Sequence, residues 1–92
     1  MIFTVVWKPS AERELARIWM QVADKAAVSW AANAIDQALR IDPHLKGRPH
    51  LGTRRSFLQP PLGVIYEISE QDRVVRVLVV MHFDVQTGNG QQ

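Results

Sequence analysis

Cysteine is absent from the 92 residues, so no disulfide, iron–sulfur cluster, thiol nucleophile or cysteine-ligated zinc is available to hold or use this fold. A reducing compartment suits such a chain. Long apolar runs are also missing. The opening run Ile2–Trp7 is too short for a membrane span or a signal core and leads straight into a charged helical pattern. The expectation is a soluble, cytoplasmic protein with no membrane partner. The three histidines, His44, His50 and His82, show no HExxH spacing and no adjoining carboxylate pair, so neither a metal nor another cofactor is expected. Phosphate-loop and dinucleotide motifs are absent, and none of Ser10, Ser29, Ser56 or Ser69 stands in a GxSxG elbow.

A chain of this length supports a single core, hiding roughly 60 to 65% of the surface its unfolded form exposes. Residues 1–85 are read as one domain. Residues 86–92, with Gly88-Asn89-Gly90, are read as a disordered tail.

Net charge is only +2, but it is unevenly placed. Residues 40–55 hold Arg40, Lys46, Arg48, Arg54 and Arg55 against Asp42 alone, a local +4, with His44 and His50 in the same stretch. Such a segment attracts a polyanion or an acidic partner even on a nearly neutral molecule, or else forms a solvated basic loop.

Ile2–Trp7 is β-branched and aromatic and reads as a first strand, stopped by Pro9. Ser10 is the expected N-cap of a helix whose apolar stripe is Leu15, Ile18, Trp19 and Val22. Asp24 caps a second helix with the stripe Val28, Ala31, Ala32, Ile35 and Leu39, which ends before Asp42-Pro43. Trp30 falls beside that stripe and reads either as part of a wide apolar face or as a contact residue on the surface. Residues 42–52 read as loop. Three strands follow, over Thr53–Gln59, Leu62–Ser69 and Arg73–Phe83. The last is apolar on both faces and so belongs inside the sheet rather than at its edge. The fold class is therefore α+β, strand-helix-helix-strand-strand-strand: an antiparallel-rich sheet with a helical hairpin packed on one face.

Tyr66 is expected to bury its ring and satisfy its hydroxyl on the backbone, and Glu67 to pair with Arg73 or Arg76 across strands. His82, near the end of the last strand with Asp84 two positions on, is the titratable group closest to neutrality that the sheet presents. Metal-free RNA cleavage needs a base at the 2′-hydroxyl, a cation on the phosphorane and an acid at the leaving oxygen. His82 with Arg54 and Arg55 are the candidate catalytic residues for it. Lys46, Arg48, His50, Arg54 and Arg55 are the candidate nucleic-acid contacts.

Several segments together resemble the RelE/ParE superfamily of bacterial type II toxins: Ile2–Trp7 running into Pro9-Ser10-Ala11-Glu12, then Ile35–Pro43, Leu45-Lys46-Gly47-Arg48-Pro49, and Gly63–Ile68 with Val74–Met81. The resemblance spans residues 1–84. It implies a curved sheet, an antitoxin partner in a hetero-oligomer, and either ribosome-dependent endonuclease cleavage of mRNA or inhibition of DNA gyrase. A degenerate toxin that only binds its antitoxin is a third possibility. His82 matches the basic or histidine position at the last strand's end in ribonuclease members. Gly63 stands where those members carry arginine, Phe83 where many carry another, and the C-terminal tyrosine of some members is missing.

Overall fold

Pro9 both closes the first strand and opens the first helix, because its fixed φ suits the first helical position and its missing N–H is not needed there. In the computed structural model, which describes residues 2–83, β1 (Thr4–Trp7) therefore passes directly into α1 (Pro9–Gln21), with Lys8 rather than Ser10 as N-cap and no side-chain cap bond. The proline displaced the expected cap by two positions. Asp24 behaves as read from the sequence: its Oδ1 accepts the Ala27 N–H at 3.0 Å and starts α2 (Lys25–Arg40). A 3-10 turn (Pro43–Leu45), β2 (Arg48–Pro49), β3 (Arg55–Gln59), β4 (Leu62–Ser69) and β5 (Val74–His82) complete the chain.

The sheet order is β1-β5-β4-β3-β2, with β1 parallel to β5 and every other pair antiparallel. The expected α+β architecture is present, and β5 lies between two neighbours as its Val-rich run requires. Two local readings change. Residues 42–52, expected as loop, contain the 3-10 turn and a two-residue edge strand. The strand taken to begin at Thr53 starts at Arg55, because Gly52 at φ 62° and the Arg54 N–H bonded to the Leu51 carbonyl make a turn there. The expected tail, residues 86–92, lies outside the described residues.

One face of the sheet meets the helices. Val28, Ala31, Ile35 and Leu39 of α2 and Ala11 and Ile18 of α1 are buried against Leu62, Val64, Tyr66, Val75, Val77 and Val80. At about 25 cal/mol per Å² of apolar area removed from water, this interface is the main source of stability. Trp30 does not join it: 61% of its surface is exposed. Its position on α2 lies beyond the width of the buried stripe.

An irregularity in β5 decides which side chains reach that core. Ile65 pairs with Val79 but Tyr66 with Val77, leaving Leu78 as an extra residue. Such a bulge reverses the alternation downstream. Val75 and Val77 are buried and Val80 follows them, whereas Val79 and Met81 emerge on the open face.

Candidate functional site

The basic segment divides into two groups with different work. The Lys46 ammonium donates to the carbonyls of Ala38 (3.1 Å) and Ile41 (2.6 Å), satisfying the C-terminal end of α2 where a cation also meets the negative end of the helix dipole. Arg55 points to the helical side, in register with Tyr66. Its Nε and Nη2 donate to the Lys46 carbonyl at 3.1 and 3.0 Å, and Nη2 reaches the Gly47 carbonyl at 3.3 Å. The Tyr66 hydroxyl lies 2.9 Å from the Pro43 carbonyl and 2.8 Å from that of Lys46, as expected for a buried ring with a backbone partner. Burial pushes the Tyr66 phenol above its ordinary range, an effect that the Arg55 guanidinium partly offsets. Lys46 and Arg55 are thus committed to holding the 42–47 loop.

Arg48, His50 and Arg54 are not. Arg48 is in register with Ser56, and the His50 N–H donates to the Arg54 carbonyl at 2.8 Å. Paired residues of an antiparallel ribbon share a face, and Arg54 precedes Ser56 by two, so Arg48, His50 and Arg54 all stand on the side away from Arg55. All three are exposed and make no side-chain bond or ion pair among the described residues. A methyl at Gly52 in the hairpin tip would meet nothing within 4 Å. The result is a solvent-facing hairpin with two free guanidinium groups and an imidazole.

His82 stands elsewhere. In register it faces Leu62, which faces Gln59, whereas Arg55 faces Tyr66. That is four residues along the strand and two strands across, about 16 Å between backbones. The bulge also turns His82 toward the helices. It lines an open groove with Glu14, Arg17, Gln21 and Asp24 on one wall and Pro60, Pro61 and Phe83 on the other. Arg17 is already bound to Glu14 through two N–H donors, which holds the Glu14 carboxyl below its usual range and raises Arg17. The structure brings Arg48, His50 and Arg54 together and leaves His82 apart from them. Asp84, expected near His82, lies outside the described residues, among which no group of three His, Cys, Asp or Glu is placed to hold a metal.

Residues 5–84 match the family model described as the ParE toxin of the type II toxin–antitoxin system, parDE. The chain belongs to the ParE toxin family. Solved relatives carry the same fold across nearly the whole ParE-family domain. The RelBE2 toxin–antitoxin complex of Mycobacterium tuberculosis contains a chain 20% identical, with 89% of this chain and 92% of that one covered at a TM-score of 0.74. The chromosomal ParDE system of P. aeruginosa gives 13% identity, 90% and 98% coverage and 0.65. An arginine-substituted RelE of E. coli in the free state gives 14%, 89% and 84%, and 0.66. At these identities the likeness concerns fold alone. No curated protein matches the sequence.

Sequence reasoning missed the Arg55–Tyr66–Lys46 arrangement. A signal existed: Gly47 has φ 64°, and a side chain there would meet the Ser56 carbonyl oxygen at 2.1 Å and the Tyr66 hydroxyl at 3.3 Å. A glycine beside Lys46 therefore marks a close approach of the loop to β3 and β4. Gly63 has a similar reason, since a methyl there would lie 2.7 Å from the Phe83 ring. Phe83 occupies the space that a larger residue at position 63 would take.

Proposed function

We propose that this ParE-family protein acts in the cytoplasm by binding its target, with DNA gyrase as that target, and that an acidic antitoxin neutralises it by covering the Arg48–His50–Arg54 face in a hetero-oligomer. The observation carrying this reading is the distance between the imidazole of His82, the candidate proton-transfer group, and the guanidinium groups of the basic segment. Cleavage of a phosphodiester needs proton transfer and phosphorane stabilisation at one phosphate, within hydrogen-bond reach of each group. About 16 Å of sheet separates the backbones of His82 and Arg55, and Arg54 lies one residue farther on the opposite face, which supports binding over chemistry. The family model points the same way, since it is that of ParE.

A second reading, metal-independent cleavage of ribosome-bound mRNA with His82, Arg54 and Arg55 as catalytic residues, draws on one feature. His82 shares a groove with a carboxylate and a guanidinium, Glu14 and Arg17. Arg17 is bound in two places to Glu14, however, and offers a phosphate little unpaired charge.

Expression of wild type and His82→Ala in cells separates the two. The binding reading expects equal growth arrest, intact transcripts and replication-linked DNA breaks. Transcript cleavage that disappears in His82→Ala would overturn it.

A further inference from the structure

Strand β1 forms one edge of the sheet, and part of that edge is open. On its inner side the Thr4 and Lys8 N–H groups donate to the Arg73 and Val77 carbonyls of the β5 region, each at 2.9 Å. In a parallel ladder the alternate residues turn both backbone groups the other way. Phe3 shows that direction, since its N–H leaves the edge and donates to the Arg40 carbonyl at 2.7 Å. Val5 and Trp7 point the same way, and their outward N–H and C=O groups have no partner among the described residues. Nothing in the sequence guards this edge. Natural edges carry charges, proline or bulges, whereas Ile2–Trp7 has no charged residue, proline or glycine. Val6, on the open face of the sheet, is 42% exposed, and Ile2 and Ile41 beside the edge are 70% and 50% exposed.

The ends of the open stretch decide what fits. Arg40 and Ile41 fill the place opposite Ile2 and Phe3, so an added strand has to end opposite Thr4. β1 is itself a strand of this length, because Pro9 turns the chain into α1 directly after Lys8. Laid antiparallel with Val6 on Val6, a second β1 brings its Lys8 opposite Thr4 and leaves the sheet there. Val5 of each copy then faces Trp7 of the other, each N–H donating to the other's carbonyl, and every open group is paired. Other registers fail. Centring on Val5 drives Trp7 of the second copy into Arg40, and centring on Trp7 sets Val5 against Pro9, which has no N–H to give.

We propose that β1 docks a second copy of this chain, the two β1 edges pairing antiparallel about Val6 so that two five-stranded sheets join into one. No charged residue opposes another of the same sign within the paired stretch Val5–Trp7. Paired residues share a face, so both open faces look the same way. The two Arg48–His50–Arg54 faces then lie on one side of the dimer at its far edges, roughly 40 Å apart at ordinary strand spacing. A target offering two acidic places at that separation is bound with avidity. The inference rests on the β1 edge alone and holds whether the toxin acts on gyrase or on RNA.

The test uses the full chain alone. Sedimentation over a concentration series is expected to show a monomer passing to a dimer, and hydrogen exchange of the Val5 and Trp7 amides to slow at least about tenfold in the dimer. Single cysteines read the register, since the chain has none of its own. Val6→Cys sets the two Cα atoms about 4.5 Å apart, within disulfide reach, and Thr4→Cys sets them about 14 Å apart, beyond it. Under mild oxidation the first variant is expected to form a disulfide dimer at least about tenfold faster than the second. Val6→Lys places two ammonium groups against each other and is expected to stay monomeric with the circular dichroism spectrum of the wild type. A monomer at every concentration, unchanged amide exchange, cross-linking at Thr4 as fast as at Val6, or a dimer that survives Val6→Lys would overturn the proposal. Should Val6→Lys lose its native spectrum, the cysteine pair decides alone.

Discussion

Removing the Tyr66 hydroxyl tests whether Tyr66 and Arg55 really hold the basic loop. The ring is fully buried, and its hydroxyl lies against the carbonyls of Pro43 and Lys46. Neither carbonyl loses every donor in Tyr66→Phe, because Pro43 still accepts the Lys46 N–H at 3.2 Å and Lys46 still accepts Arg55. The loss should therefore fall near the lower end for a buried hydrogen bond, about 1 kcal/mol, or about 4–8 °C in Tm for a domain of this size. Arg55→Met should cost a similar amount. The double variant leaves the Lys46 carbonyl with neither donor, so its destabilisation should exceed the sum of the singles by about 0.5–1 kcal/mol. Denaturant titration of the four proteins measures this.

The pH dependence adds an independent reading. The folded phenol titrates above its unfolded value near 10, because burial disfavours the phenolate. A group raised on folding contributes stability that is complete below the unfolded pKa and is lost as pH climbs through the folded one. Wild type should therefore lose stability above about pH 10, and the gap to Tyr66→Phe should narrow there. Additive single variants, together with parallel alkaline profiles, would refute the joint hold of Tyr66 and Arg55 on the loop.

Other expectations follow from individual contacts. Arg48→Gln with Arg54→Gln should lower the slope of log affinity against log salt for a single-stranded polyanion by about 1.4, whereas Lys46→Gln should leave the slope alone and lower Tm, since Lys46 serves α2. Gly63→Ala should displace the Phe83 ring, seen as altered ring contacts by NMR, at a cost of about 1 kcal/mol in denaturant titration. Asp24→Ala removes the bond to the Ala27 N–H and should cost about 1 kcal/mol, read from the thermal midpoint.

Much of the fold was legible because the periodicities were strong. Leu15, Ile18 and Val22 mark one helix face, Val28, Ala31, Ile35 and Leu39 another, and the Val74–Met81 run, interrupted only by Arg76, is too apolar for the edge of a sheet. Tyr66 and the Glu67–Arg76 pair, now seen at 3.6 Å, were also readable from residue type and strand alternation. The bulge was not. Every residue from Val77 to Met81 is apolar, so the pattern carries no mark of where the alternation reverses, and the face of His82 depends on that reversal. The division of the cations was equally hidden. Lys46 and Arg55 look like Arg48 and Arg54 in a list of charges. Their difference arises from carbonyls at the end of α2 and in the following loop, brought near by tertiary packing. Trp30 illustrates the limit of the helical stripe, since the pattern leaves an aromatic beside it open to either a wide apolar face or the surface, and it stands in solvent.

Whether binding without chemistry suffices is measured most directly by DNA supercoiling with purified gyrase in the presence of the wild-type protein and of His82→Ala. Both proteins should inhibit supercoiling at the same concentration, because no proton transfer at His82 is needed. Supercoiling unaffected by the wild type, or inhibition that depends on the imidazole, would contradict it.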